Sequence, residues 1–437
     1  MRIAALFALA GWLILVPFPG AAQGRTPART APDSTGESGP ADTLTLDQAL
    51  AEARAANARL PIARLALQQS LDRLRQARGS LWPGLSLGGD LHPGAPRTYE
   101  SSDARLQVVA EAPLYEGGAL RAAVGAERAR TRAARADVRV AVKDVELAVR
   151  ADYAEYLRAQ REIDLQRLGV ERLQRYLAEV RSRQASGQGV GADVVKTRAQ
   201  LLHARADLDA AEHARTEMRM ELNDVLGRDP DAPLALAPLS VPSSPSPDSV
   251  SAPWNLTPDV QSALASVGAA EAGLSGARSL RLPHLNLSVA GGGQAALVDP
   301  APALMNDGRG WGVEAMLSLS LPLWSHGVYS GRVDEARDAL TQSRRVVEAT
   351  RRAARLEYDR SSALLRARYR EIQVREQARE SARDAYLQAE SLYRGGSGSA
   401  LDVLDAYRTW LTAGQAHEDA VLDYRLARAR VLRWGGP

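Results

Sequence analysis

Asp402 and Asp405 are the pair of side chains in this sequence whose type and spacing point to chemistry. Three residues apart at the start of a helix-forming segment, the two carboxylates share one helix face, and a threefold assembly would stack them into two rings of three. Such rings attract cations and favour a narrow entrance whose charge depends on pH. Ser399, three residues before Asp402, also completes a capping box that satisfies loose N–H groups at a helix start, whereas no cap accounts for Asp405. No catalytic constellation is found elsewhere. The sequence has no cysteine, which excludes disulfides, thiolate metal sites and lipid attachment to an N-terminal cysteine. Its six histidines, His92, His203, His213, His284, His326 and His417, are dispersed. His203 and His213 are too far apart to be the i, i+4 pair of a helical metal site. Gly291, Gly292 and Gly293 lack the following helix and lysine of a phosphate cradle. The reading is a protein that is not an enzyme, with no cofactor and no metal.

The aspartates follow a glycine cluster, Gly395, Gly396 and Gly398, set between two long charged segments. Each glycine inside a helix costs roughly 1 kcal/mol, so a turn falls here. Gly187, Gly189 and Gly191, followed by Asp193, repeat the design, Gly187 aligning with Gly396 and Asp193 with Asp402 at an offset of 209 residues. Two matched hairpin tips mean an internal duplication.

The elements that carry the tips are read from periodicity. Thr45 and Gln48 form a capping box for a first helix that runs to about Leu81, with a bend expected at Pro61. From Pro83 the period becomes two. Leu85, Leu87 and Leu91 alternate with Ser86, Gly88 and Asp90. After a Pro/Gly turn at 93–96, Leu106, Val108, Ala110 and Ala112 alternate with Arg105, Gln107 and Glu111 until Pro113 ends the strand. Strands over 83–92 and 104–113, each about ten residues long with one apolar face, match tilted transmembrane β-strands and also half-buried soluble ones. From Gly118 to Ser186 a coiled-coil seam repeats every seven residues, at Val142, Val149, Tyr156, Ile163, Val170 and Leu177, with Val145, Leu173 and Val180 three further on. At 1.5 Å per residue this helix spans about 100 Å. A second helix returns from Ala192 to about Leu226.

Eight prolines between 228 and 258 mark a connector, and the order then repeats. A helix from Pro258 to Leu280 leads to strands over 283–293 and 311–322. The long helix follows with its seam at Tyr358, Leu365, Ile372, Tyr386 and Tyr393, broken once at Arg379. The repeats thus cover 44–227 and 258–437, with the connector at 228–257. Trp82, Tyr115, Trp311 and Trp324 at strand ends fit an interfacial girdle, and all but Trp311 fit a strand–helix junction equally.

Residues 1–22 read as a secretory signal and 23–43 as a flexible tether. The net charge is only +3, from 55 basic and 52 acidic residues interleaved along the helices. That is the pattern of solvated helix faces, and no nucleic-acid partner is expected. Four strands cannot close a membrane barrel, so the chain must oligomerise: two copies give eight strands, and three give twelve with room for a passage.

The order of elements, the strand-terminating prolines and the segment from Tyr393 to Asp405 with its twin from Gly187 to Val195 resemble the TolC family of outer-membrane efflux proteins. The resemblance covers Leu44 to Trp434. It implies a homotrimer: a twelve-stranded barrel in outer-membrane lipid, continuous with a periplasmic α-helical barrel. It also implies the exit duct of a tripartite efflux or type I secretion system, with a periplasmic adaptor and an inner-membrane RND or ABC-type pump as partners. By the resemblance, Asp402 and Asp405 line the periplasmic constriction, and Asp193 and Tyr393 are gate contacts. Gly187, Gly189, Gly191, Gly395, Gly396 and Gly398 form the tips on which an adaptor docks. The chain departs from the family pattern at Gly398 and at Ala192, where relatives have another latch. The alternative reading is a periplasmic adaptor or coiled-coil scaffold.

Overall fold

The computed structural model describes residues 43–92, 102–187, 190–239, 254–298, 309–395 and 397–435. The expected signal at 1–22, the tether up to Asp42, the turn at 93–96, the middle of the proline-rich connector, Gly189 and Gly396 lie outside the described residues. The first helix, α1 (Leu46–Ala56), opens on the expected box: Thr45 N–H donates to Gln48 Oε1 at 2.8 Å and Gln48 N–H to Thr45 Oγ1 at 3.3 Å. The bend expected at Pro61 falls instead at Asn57, whose extended backbone ends α1. Asn57 Oδ1 accepts from Arg59 N–H (2.9 Å) and its Nδ2 donates to the Val225 carbonyl (2.7 Å), so the break is tied to another helix. Pro61 then sits in the first turn of α2 (Arg59–Gly79), where a missing N–H costs nothing.

The strands β1 (Gly84–His92), β2 (Ser102–Glu116), β3 (His284–Val298) and β4 (Arg309–Ser320) form one antiparallel sheet in chain order. Pro113 does not end β2. A register irregularity between Pro113 and Tyr115 absorbs its missing donor, and pairing resumes to Glu116 opposite His284. The third strand likewise passes through its three glycines to Val298, longer than expected, because it stays paired with β2 as far as Ser102 and with β4 as far as Arg309. The registers bring every apolar row onto one face. Leu85 faces Ala110, which faces Val289, which faces Ala315; Leu87, Val108, Gly291 and Val313 form the next row, and Gly89, Leu106, Gly293 and Trp311 the one after.

Two helical hairpins hang from the sheet. The helices α3 (Ala119–Ala185) and α6 (Val328–Arg394) each have 67 residues, and their partners α4 (Gly191–Leu226) and α7 (Ala400–Gly435) each have 36. The α3 seam is buried at Val149, Tyr156, Ile163, Val170 and Leu177, and at Val145, Leu173 and Val180, while Val142 is only partly buried. Leu365, Ile372 and Tyr386 of α6 are buried as the seven-residue period predicts, and Arg379, which interrupts it, pairs with Glu376. The helix α5 (Pro258–Ser279) packs Leu274 against Val333 and Leu340 of α6.

The turn from sheet to long helix is made the same way in both halves. Gly117 and Gly118 have φ of 59° and 94°, and His326 and Gly327, at the same offset of 209 residues, have 46° and 87°. A Cβ at Gly117 would lie 2.8 Å from the Ser279 carbonyl oxygen, which demands glycine there. At His326 the space is open, and the imidazole meets Trp324 edge-on with centroids 5.6 Å apart.

At the waist, Ala49, Leu50 and Ala53 of α1, Val145, Val149, Tyr153 and Tyr156 of α3, and Leu222 and Leu226 of α4 make a shared core. The start of the connector is pinned to it. Tyr156 Oη donates to the Leu234 carbonyl (2.9 Å), and Tyr153 Oη lies 2.7 Å from the Ala237 and 2.9 Å from the Leu44 carbonyl oxygen. Burial raises the Tyr153 hydroxyl to about 12, so it stays a neutral donor.

Candidate functional site

Both tips are tight backbone turns. Gly187, with φ of 74°, follows α3, and its N–H donates to the Gln184 carbonyl. Gly191 is the first residue of α4. At the second tip the Leu392 carbonyl accepts from Ser397 N–H (3.0 Å), Gly398 N–H (3.1 Å) and Ser397 Oγ (3.3 Å), while Gly395 N–H donates to Ser391. The carbonyls of Ser391 and Leu392, two of the last four of α6, are thus satisfied by the turn itself.

Asp402 closes a reciprocal capping box at the start of α7. Ser399 N–H donates to Asp402 Oδ2 (3.1 Å) and Asp402 N–H to Ser399 Oγ (3.2 Å). Asp405, one turn further, is exposed and makes no ion pair among the described residues. Asp193 lies in the first turn of α4 and Tyr393 next to the end of α6; their side chains lie outside the described residues. The backbone therefore places all four sequence-derived positions within a turn or so of the tips.

Sequence reasoning missed the contacts between hairpins. Just behind Asp405, Leu404 packs against Val170, Leu173 and Leu177 of α3 and Leu201 of α4. One turn on, the Arg172 guanidinium of α3 lies 5.6 Å from the Tyr407 ring centroid and 6.0 Å from that of Tyr386, with a hydrogen bond to Tyr386 Oη at 3.2 Å. Trp410 stacks on Tyr386 at 5.5 Å and 8°. Further from the tip the α3–α7 seam becomes ionic. Gln415 donates to Glu162. Arg158 bridges Asp419 (2.9 Å) and Asp423 (2.6 Å), and Arg368 of α6 adds 3.1 Å to Asp423. At the far end the guanidinium of Arg433, only 6% exposed, reaches Asp144 of α3 at 2.6 Å and Asp259 of α5 at 2.9 Å. Burial alone would lower its pKa, but the hydrogen bonds it donates to Asp259 and Asp144 outweigh that and raise it. Burial, with Glu221 and Glu155 nearby, raises the Asp152 carboxyl to about 6. That places a pH-dependent charge in the waist of α3, away from the tips. Val170, Leu173, Leu177 and Tyr386 carried a sequence signal, as seam positions; on α7 the stripe facing α3 is too polar to read by periodicity.

Sixty-seven-residue helices descending from an antiparallel sheet, whose apolar rows face outward unburied, define a membrane-sheet protein with a long helical extension. The chain belongs to the outer membrane efflux protein family, which residues 49–228 and 255–436 match. It is therefore an outer-membrane protein, and the reading as a free periplasmic adaptor falls away. The pyoverdine export outer membrane protein OpmQ of Pseudomonas aeruginosa is 26% identical over 288 residues, 64% of this chain and 58% of that protein. The match thus spans less than two thirds of that relative's length. Among solved structures, the fold is similar to that of CusC, with a TM-score of 0.77 at 20% identity over 95% of this chain and 99% of the other. It is also similar to the outer membrane protein VceC of Vibrio cholerae, with 0.75 at 20% identity over 90% and 96%.

Proposed function

We propose that the chain is the passive exit duct of an efflux or secretion assembly, a homotrimer whose twelve strands close a barrel in outer-membrane lipid and whose helices form a periplasmic tube. The observation that carries this reading is the sheet. Its aligned apolar rows are left bare, with Leu85 at 73%, Leu319 at 70% and Val313 at 83% exposure, and its outer strands β1 and β4 keep unpaired edges. In lipid each unpaired backbone group costs several kcal/mol, so β4 of one copy must pair with β1 of the next. Trp82, Trp311 and Trp324 are exposed by 74–90%, which suits a girdle at the lipid boundary. The opposite face, with Asp90, Arg105, Gln107, Glu111 and Glu314, suits a wet lumen.

At the other end, the tips are the docking point for a periplasmic adaptor, which connects to an inner-membrane pump of RND or ABC type. Asp193 and Tyr393 act as gate contacts between neighbouring helices. Asp405, unengaged by any cap, supplies the principal carboxylate ring of the constriction, and Asp402, held by Ser399, the lesser one. In planar bilayers the wild-type trimer is expected to prefer cations. Asp405→Ala should reduce that preference, and the double change with Asp402→Ala should reduce it by about tenfold, the lower end of what a focused charge ring contributes. Unchanged selectivity in the double variant contradicts the ring.

A further inference from the structure

Resting on the duct reading, we infer that Arg172 is a releasable clasp that holds the second hairpin against the first and thereby keeps the Asp405 constriction closed. The α3–α7 seam is graded along its length. Near the waist it is held by full ion pairs, Arg433 on Asp144 and Asp259, and Arg158 on Asp419 and Asp423. Near the tip Arg172, unlike its neighbour Arg175 on Glu171, makes no ion pair among the described residues. It is held by the faces of Tyr386 and Tyr407 and by one phenolic oxygen. Two polar atoms there, Arg172 Nε and the Oη of Tyr407, a residue only 5% exposed, are buried with no hydrogen-bond partner among the described residues. Parting the hairpins at this point hydrates both atoms, so the closed contact carries its own release term. The same separation near the waist parts Arg158 from Asp419 and Asp423 and strips Asp144 of Arg433. The seam therefore opens from the tip and hinges at the ionic end.

The clasp also sits where it controls the gate. Tyr407 follows Asp405 by two residues, and Leu404, which precedes it, packs on Val170, Leu173 and Leu177 of α3. Moving α7 off α3 moves the carboxylate. This also gives the chain a restraint at a place where Gly398 and Ala192 offer no side chain long enough for one.

The test is single-channel recording of the purified full-length trimer without adaptor, with assembly checked by heat-modifiable mobility. Arg172→Ala is expected to raise the open fraction roughly tenfold, the range of a partly desolvated cation–π contact with its hydrogen bond. Arg172→Lys, which keeps the charge but not the planar group, and Tyr386→Phe, which removes only the hydroxyl, should each give a smaller rise. Assembled Arg172→Ala trimers with wild-type gating overturn the clasp. Should that variant fail to assemble, wild-type gating in both Arg172→Lys and Tyr386→Phe overturns it equally. Absence of any conductance in wild type and variants alike overturns the duct reading, and the clasp with it.

Discussion

Arg433→Ala is expected to lower the stability of the folded protein by about 3 kcal/mol, the low end of the range for breaking a buried pair by removing one partner. The low end is chosen because Asp144 remains half-exposed and rehydrates, whereas Asp259, at 24% exposure, loses both of its hydrogen bonds at the start of α5. The loss is also topological, since Arg433 joins α3, α5 and α7 at one point and its guanidinium lies 4.6 Å from the Trp434 ring. Urea unfolding followed by helical circular dichroism in detergent would measure it. If the cost comes from stranded carboxylates, Arg433→Met with Asp144→Leu and Asp259→Leu should recover most of it. A single variant as stable as wild type would mean that the three helices are held by packing alone.

Val313→Arg is expected to abolish assembly in the membrane, while Glu314→Arg, one residue along the same strand, is tolerated. Both positions are exposed in the single chain, and Val313 at 83% has almost no packing to lose. In a water-soluble sheet both changes would cost little. On a lipid face, arginine near the bilayer midplane costs about 2–4 kcal/mol per copy, and a threefold barrel incurs that cost three times. Val313 stands in the row with Leu87, Val108 and Gly291, whereas Glu314 pairs with Ala290 on the other face. Outer-membrane fractionation with a heat-modifiability gel separates the outcomes: a missing oligomer for Val313→Arg only. Equal tolerance of both substitutions would place the sheet in water.

What could be read before any coordinates were in hand was whatever repeats with a fixed period. The seven-residue seam of α3 and the two-residue alternation of the strands are each set by one face packing or avoiding water, and both survive into the fold. What escaped was decided by single tertiary partners. Asn57 broke the first helix because its side chain reaches Val225, far along the chain, so Pro61 needed no bend. Pro113 was tolerated because the irregularity beside it removes the need for its donor. The stripe of α7 that faces α3 runs through Leu404, Tyr407, Gln415, Asp419, Asp423 and Arg433, and its polar half looks solvated until Arg158 and Asp144 appear opposite it. At the tips, the sequence already set Asp402 apart from Asp405 through the capping box with Ser399; the geometry shows that box made, while Asp405 has no ion pair among the described residues.

The central claim, that four strands are one third of a closed wall, is tested most directly by a cryo-electron microscopy reconstruction of the purified protein in lipid nanodiscs. The expected result is a threefold particle with twelve strands in the bilayer, β4 of each protomer hydrogen-bonded to β1 of the next, and a helical tube of about 100 Å beneath it. A particle of another symmetry, or a sheet whose β1 and β4 edges remain unpaired between copies, would contradict it.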